Sequence, residues 1–161
     1  SLNVGLDGRF AQWAASLVDS QQPLALVTAP GRETEALTRL GRVGLENVVG
    51  YLAGAEQLTQ TGARIQPAEL ATQLQTQDPP AVLDVRTPQE YKQGHIAGSQ
   101  HIPLSQLARR LDEVPEQVVV HCQSGYRSSM AASLLRQHGV IATDLAGGIA
   151  AWQAQGLPVQ T

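Results

Sequence analysis

Three short apolar runs punctuate the chain: Leu24 to Val27, Ala81 to Val85 and Val118 to His121, entered from Pro23, Pro80 and Gln117. Aliphatic and β-branched runs of this length are the pattern of strands buried on both faces. Between them, apolar residues fall at helical spacing. Leu70 and Leu74 stand four apart within 67–74; Leu104, Leu107 and Leu111 recur around 105–111; Met130, Leu134 and Leu135 line one side of 128–138. Strands alternating with helices predict an α/β fold with a parallel sheet covered on both faces.

The glycines suggest a duplication. Gly31, Gly44, Gly54 and Gly62 are spaced 13, 10 and 8 apart, and Gly125, Gly139, Gly147 and Gly156 are spaced 14, 8 and 9 apart. Leu52-Ala53-Gly54 recurs as Leu145-Ala146-Gly147, and Ser1 to Leu6 can be laid on Ser99 to Leu104. Chance spacing is the competing reading. If the repeat is real, residues 1–62 are the back half of a first unit without its front strand and helix. Residues 63–161 are then a complete second copy, with the boundary near Thr61-Gly62-Ala63.

Composition narrows the function classes. A length of 161 residues allows one domain, or one domain plus part of another. With 42% hydrophobic and 16% charged residues, the chain is neither disordered nor fibrous. Eleven Lys and Arg against fourteen Asp and Glu give a net charge of −3 without a basic cluster, which argues against a nucleic-acid partner. No apolar run approaches the roughly 18 residues needed to cross a bilayer, so no membrane role is expected. Cys122, the single cysteine, can form no internal disulfide, which fits a reducing, cytoplasmic location. The chain starts at Ser1 and its one Met is Met130, so the reading is of a segment from a longer chain.

The strongest local feature is His121-Cys122-Gln123-Ser124-Gly125-Tyr126-Arg127-Ser128. It follows a predicted strand and opens a predicted helix, so a thiol is expected at the carboxyl edge of a parallel sheet, where ligands bind in such folds. Ser124 and Gly125 let the backbone curl, so that successive N–H groups can face an anion. A helix N-terminus and a nearby Arg favour the thiolate, the nucleophilic form. The bland alternative is a small, inert core cysteine.

Other positions have two readings each. Asp84 and Arg86, at the end of a strand, could face the site, or Arg86 could pair with Glu90 four residues on as a surface ion pair. His95 reads as a hydrogen-bonded structural histidine rather than a base, His121 as satisfied in the core or at its rim, and His138 beside Gly139 as a helix C-terminal cap. Tyr126 and Trp152 could wall a pocket, or Trp152 could pack the last helix onto the sheet. No two histidines have metal-ligand spacing and one cysteine cannot complete a zinc site, so neither metal nor another cofactor is expected.

Four ordered motifs resemble the rhodanese, or sulfurtransferase, domains: Ala81-Val82-Leu83-Asp84-Val85-Arg86 with Glu90 and Tyr91; Gly94-His95-Ile96-Ala97-Gly98-Ser99 into Ile102-Pro103; the Cys122 to Arg127 loop; and Gly147-Gly148-Ile149-Ala150-Ala151-Trp152 before Gly156-Leu157-Pro158. The resemblance covers about residues 63–161. Ala97, Ser99 and His101 depart from the Pro, Ala and Asn common there. It implies a three-layer α/β/α fold with a central parallel sheet, and a Cys122 persulfide that takes sulfur from thiosulfate or a low-molecular-weight persulfide and passes it to cyanide or a thiol. Gln123, Ser124, Gly125, Tyr126 and Arg127 would hold the anion, and Asp84 would steady the loop. Related cysteine phosphatases and arsenate reductases place five residues between Cys and Arg; the four here, Gln123 to Tyr126, favour sulfur transfer.

In the earlier copy Thr28 falls at the position of Cys122, Ala55 at the second glycine and Leu58 near the tryptophan, so this half resembles a degenerate unit without catalysis. An inactive unit before an active one is similar to the tail of fusions that carry an upstream metallo-β-lactamase-like persulfide dioxygenase. That resemblance implies such a domain as a partner in a longer chain. It leaves a second functional reading, a sulfur relay serving that domain with little activity on free thiosulfate.

Overall fold

The computed structural model describes residues 1–53 and 62–161. Its backbone divides into two units, Val4–Thr61 and Gly62–Thr161, the latter taking in Ser1–Asn3. Gly54, Ala55, Leu58 and Thr61, on which part of the repeat rests, lie outside the described residues.

In the smaller unit, α1 (Phe10–Leu17) precedes β1 (Leu24–Thr28), and α2 (Glu33–Gly41) carries the chain to β2 (Val48–Ala53), which pairs parallel with β1. Phe10 and Ala14, one turn apart on α1, pack with Ala36 and Leu40 of α2 and with Leu45; Leu24, Leu26 and Val48 cover the sheet side of this core. Val27, Val49, Tyr51 and Leu52 stay exposed. Ser1 to Leu6 forms no strand, whereas the stretch laid upon it contains β5 (Gln100–His101) of the larger unit.

The larger unit begins with β3 (Arg64–Ile65) and α3 (Pro67–Gln73), whose Pro67 takes the first helical position, where a missing N–H costs nothing. It continues with β4 (Val82–Asp84), α4 (Pro88–Lys92), β5, α5 (Leu104–Leu107), β6 (Gln117–His121), α6 (Tyr126–Gln137), β7 (Ile141–Leu145) and α7 (Gly148–Ala154). The strand order is β3-β7-β6-β4-β5, with every pair parallel. Helices α3 and α7 pack together with Val82 and Val119 in one core that includes Leu70, Ile149 and Trp152. Alternation along β6 turns Val118 and Val120 the other way, where α5 and α6 pack. The expected three-layer α/β/α arrangement is therefore present.

One element is shorter than its pattern. The apolar spacing around 105–111 predicts a continuous helix, but α5 ends after one turn and a separate 3₁₀ turn covers Leu111–Glu113. The N–H groups of Arg109 and Arg110 bond to carbonyls only three residues back, and Pro115 prevents the helix from running on before β6 begins. No helix among the described residues is long and apolar enough to cross a membrane.

Candidate active site

Strand β6 lies inside the sheet, between β7 and β4, so the residue after it emerges at the middle of the carboxyl edge. That residue is Cys122. The chain then turns through Gln123 and Ser124, both exposed, to Gly125, which adopts φ +102° as the N-cap of α6. A side chain would be strained in this conformation. The turn directs the Gly125 N–H onto Cys122 Sγ at 3.2 Å. Cys122 itself is 1% exposed, so the sulfur lies beneath its loop at the N-terminal end of a 12-residue helix. Tyr126 and Arg127 form the half-buried first turn of that helix.

The loop is held from below by α7. The N–H of Ile149 donates to the Cys122 carbonyl at 2.9 Å, and that of Ala150 to the Gln123 carbonyl at 3.0 Å. This approach requires a glycine: Gly148 has φ +62°, and a Cβ there would stand 2.5 Å from the Cys122 oxygen. The Gly147-Gly148 pair was visible in the sequence; its contact with the cysteine loop was not.

Asp84 ends β4 opposite His121, in register across the sheet. Arg86 donates from Nε and Nη2 to the Asp84 carboxylate at 2.6–3.0 Å and from Nη2 to the Gly94 carbonyl at 2.7 Å. Both side chains are buried, at 4% and 0% exposure. The reading of Arg86 and Glu90 as a surface pair is therefore wrong. Arg86 turns inward because the Asp84 carboxylate also accepts its backbone N–H, which folds the chain back after β4. The pair braces the strand end and does not reach the cysteine loop by any hydrogen bond. His121 Nε2 lies 3.6 Å from Asp84 without a hydrogen-bond partner. The expectation of a satisfied histidine thus fails for that nitrogen, and burial pulls its pKa below the usual 6.5.

Glu90 goes instead to Arg127. Its two carboxylate oxygens accept from Arg127 Nη1 at 2.7 Å and Nη2 at 2.6 Å. One of them also accepts from the backbone N–H and hydroxyl of Thr87, closing a capping box at the start of α4. The Arg127 bond holds the Glu90 carboxyl down at about 2, and the same bond raises the Arg127 pKa. Of the predicted site residues, Cys122 to Arg127 come together, with Arg127's guanidinium committed to Glu90. Asp84 and Arg86 stand behind them. Glu90 as the partner of Arg127 was not foreseen, because 37 residues separate the two.

Among the remaining candidates, His95 donates from Nδ1 to the Tyr91 carbonyl at 3.2 Å and stacks on the Tyr91 ring, which fits a structural role. His101 stacks nearby on Tyr91, with Nε2 on the Arg86 carbonyl. Trp152 is buried against the sheet and donates to the Pro158 carbonyl, so it packs α7 onto the sheet. His138 is the C-cap of α6, as the Gly139 beside it suggested.

A family model described as "Rhodanese-like domain" matches residues 66–155. The chain is 40% identical over 81 residues to a sulfurtransferase of Allochromatium vinosum, covering 48% of this chain and 76% of that protein. It is 36% identical over 93 residues to thiosulfate sulfurtransferase 16 of Arabidopsis thaliana, covering 48% and 78%. Of two further relatives, in Bacillus subtilis and Synechocystis, the chain spans 59% and 57% of the length. The crystal structure of a rhodanese-related protein from Thermoplasma volcanium superposes with a TM-score of 0.57 at 35% identity, covering 61% of this chain and 97% of that one.

Proposed function

The chain belongs to the rhodanese-like domain family, whose sulfurtransferase members it resembles, and on that premise we propose that Cys122 carries sulfane sulfur between a small donor and a thiophilic acceptor. The observation that carries this reading is the Gly125 N–H on Cys122 Sγ at the N-terminus of α6. Backbone dipoles placed there favour anionic sulfur without a metal or other cofactor. In the loading step the Cys122 thiolate attacks the outer sulfur of thiosulfate or of a low-molecular-weight persulfide. The donor S–S bond breaks, and sulfite or a thiolate leaves with the electron pair. In the delivery step cyanide or a thiol attacks the terminal sulfur of the Cys122 persulfide, and the thiolate returns. The two half-reactions balance without an external oxidant and imply ping-pong kinetics. In this reading the Gly125 N–H and the loop residues Gln123, Ser124 and Tyr126 receive the anionic sulfur, with Arg127 closing the loop. Asp84 and Arg86 keep the neighbouring strand end rigid.

The smaller unit fits a partial copy of the larger one. Its β1, α2 and parallel β2 follow one another as β6, α6 and β7 do. Thr28 stands at the end of β1 where Cys122 follows β6, and without a side-chain sulfur no persulfide can form, so this unit is read as non-catalytic.

The test is intact mass. The protein and its Cys122→Ser variant are treated with excess thiosulfate or glutathione persulfide and freed of small molecules. A gain of one sulfur atom, reversed by cyanide, is expected in the wild type alone. Loading of the Ser variant, or of neither protein with either donor, would overturn the reading.

A further inference from the structure

From the Glu90–Arg127 pair we infer that Glu90 determines donor specificity: by neutralising the arginine that closes the cysteine loop, it removes the preference such a cation would give to a dianionic sulfur donor over a monoanionic one. The inference rests on the sulfur-transfer reading above and specifies which donors that site discriminates.

Arg127 lies in the first turn of α6, two residues beyond the glycine whose N–H touches Cys122 Sγ. Its charge is therefore carried on the same loop and helix turn that hold the sulfur. An unpaired arginine here would draw a doubly charged donor more strongly than a singly charged one. Glu90 removes that advantage. The contact is bidentate, with only 17% of the Arg127 and 28% of the Glu90 side chain exposed, and its geometry is fixed by the Thr87 capping box as well as by the pair itself. With its carboxyl held at about 2, Glu90 remains ionised at any working pH, so the compensation is permanent. The other nearby arginine, Arg86, is buried and neutralised in the same way by Asp84. What meets the sulfur is the Gly125 N–H at the start of α6, with both nearby arginines paired to carboxylates.

Thiosulfate and methanethiosulfonate separate charge from shape. Both present a terminal sulfane sulfur on a tetrahedral sulfur, and they differ by one oxyanion against one methyl group. Attack by Cys122 on the outer sulfur breaks the S–S bond in each and releases sulfite or methanesulfinate. The measurement is the ratio of kcat/KM for the two donors, with cyanide as acceptor, at low ionic strength. Glu90→Gln keeps the side-chain length and the capping box but uncovers the Arg127 charge. The ratio of thiosulfate to methanethiosulfonate should rise roughly three- to tenfold, as expected for one unit charge acting through a partly screened site. Arg127→Gln leaves Glu90 uncompensated, and the ratio should fall. The double variant restores neutrality, and its ratio should return to within about twofold of the wild type. The rise in Glu90→Gln should shrink in high salt.

A purely structural role for Glu90 would lower both rates together and leave the ratio unchanged, which would overturn the inference while sparing the sulfur-transfer reading. If Glu90→Gln does not fold, a fall in the ratio for Arg127→Gln carries the inference and an unchanged ratio sinks it. Failure of the wild type to load from either donor would instead overturn the reading on which it rests.

Discussion

Replacing Gly148 with alanine tests whether α7 positions the cysteine loop. Two costs add. At φ +62° a Cβ-bearing residue is held in left-handed backbone, which costs roughly 1–2 kcal/mol. The Cβ would also stand 2.5 Å from the Cys122 oxygen and 2.8 Å from the Gln123 carbonyl atoms, all backbone, so relief requires the loop and the helix to part. Overpacking of this kind costs about 1–3 kcal/mol, and parting strains the hydrogen bonds from Ile149 and Ala150 to the same two carbonyls. The total is about 2–5 kcal/mol, or a drop in Tm on the order of 10–30 °C for a unit of this size. Gly139→Ala is the control: its φ is +86°, but nothing lies within 4 Å of the added Cβ, so it should show the backbone cost alone. The assay is thermal unfolding by circular dichroism, followed by the sulfur-loading rate of whatever remains folded. Gly148→Ala should lose clearly more Tm than Gly139→Ala, and should load more slowly because the loop carbonyl has moved. Equal Tm losses would refute the reasoning, since the close approach would then relax at no cost.

Two further outcomes follow from the buried charges. Asp84→Asn leaves the Arg86 guanidinium buried without its counter-charge and should cost about 3–5 kcal/mol in urea unfolding, against no change if water reaches Arg86. Acid should destabilise the fold in two stages. His121 is kept neutral by burial while the unfolded chain takes up a proton near 6.5, so stability should begin to fall as the pH drops below that value, and His121→Asn should flatten this stage. Glu90, depressed from 4.5 to about 2, contributes stability that is present above pH 4.5 and is lost between 4.5 and about 2; Glu90→Gln should shrink that second stage, to which the arginine-paired Glu35 and Glu113 also contribute, and urea midpoints across the range would read both.

Much of this architecture is legible in the sequence, for identifiable reasons. The cores of β4 and β6 are continuous aliphatic runs because strands buried on both faces admit little else, whereas β1 carries the same pattern but buries only one face, with Ala25 and Val27 left exposed in its two-stranded sheet. The Cys122 loop can be read because strand, small residues and helix succeed one another in the chain. What escapes is which partner a side chain takes, near or far in the chain. Glu90 and Arg86 are four apart on paper, yet each finds a different partner, Arg127 from across the site and Asp84 from two residues back. Gly148 meets Cys122 only because α7 returns beneath the sheet edge, and neither residue signals the other. The unpaired His121 nitrogen follows from cross-strand register with Asp84, which no local pattern encodes.

The central claim is that a sulfur atom resides on Cys122 between two separate reactions. The most direct measurement is a single-turnover count: protein loaded with thiosulfate, stripped of all donor, is mixed with cyanide and the thiocyanate formed is quantified against protein. The account predicts one thiocyanate per loaded chain, formed without donor present, and none from Cys122→Ser. Thiocyanate that appears only while donor remains in solution, or in equal amount from the Ser variant, would contradict it.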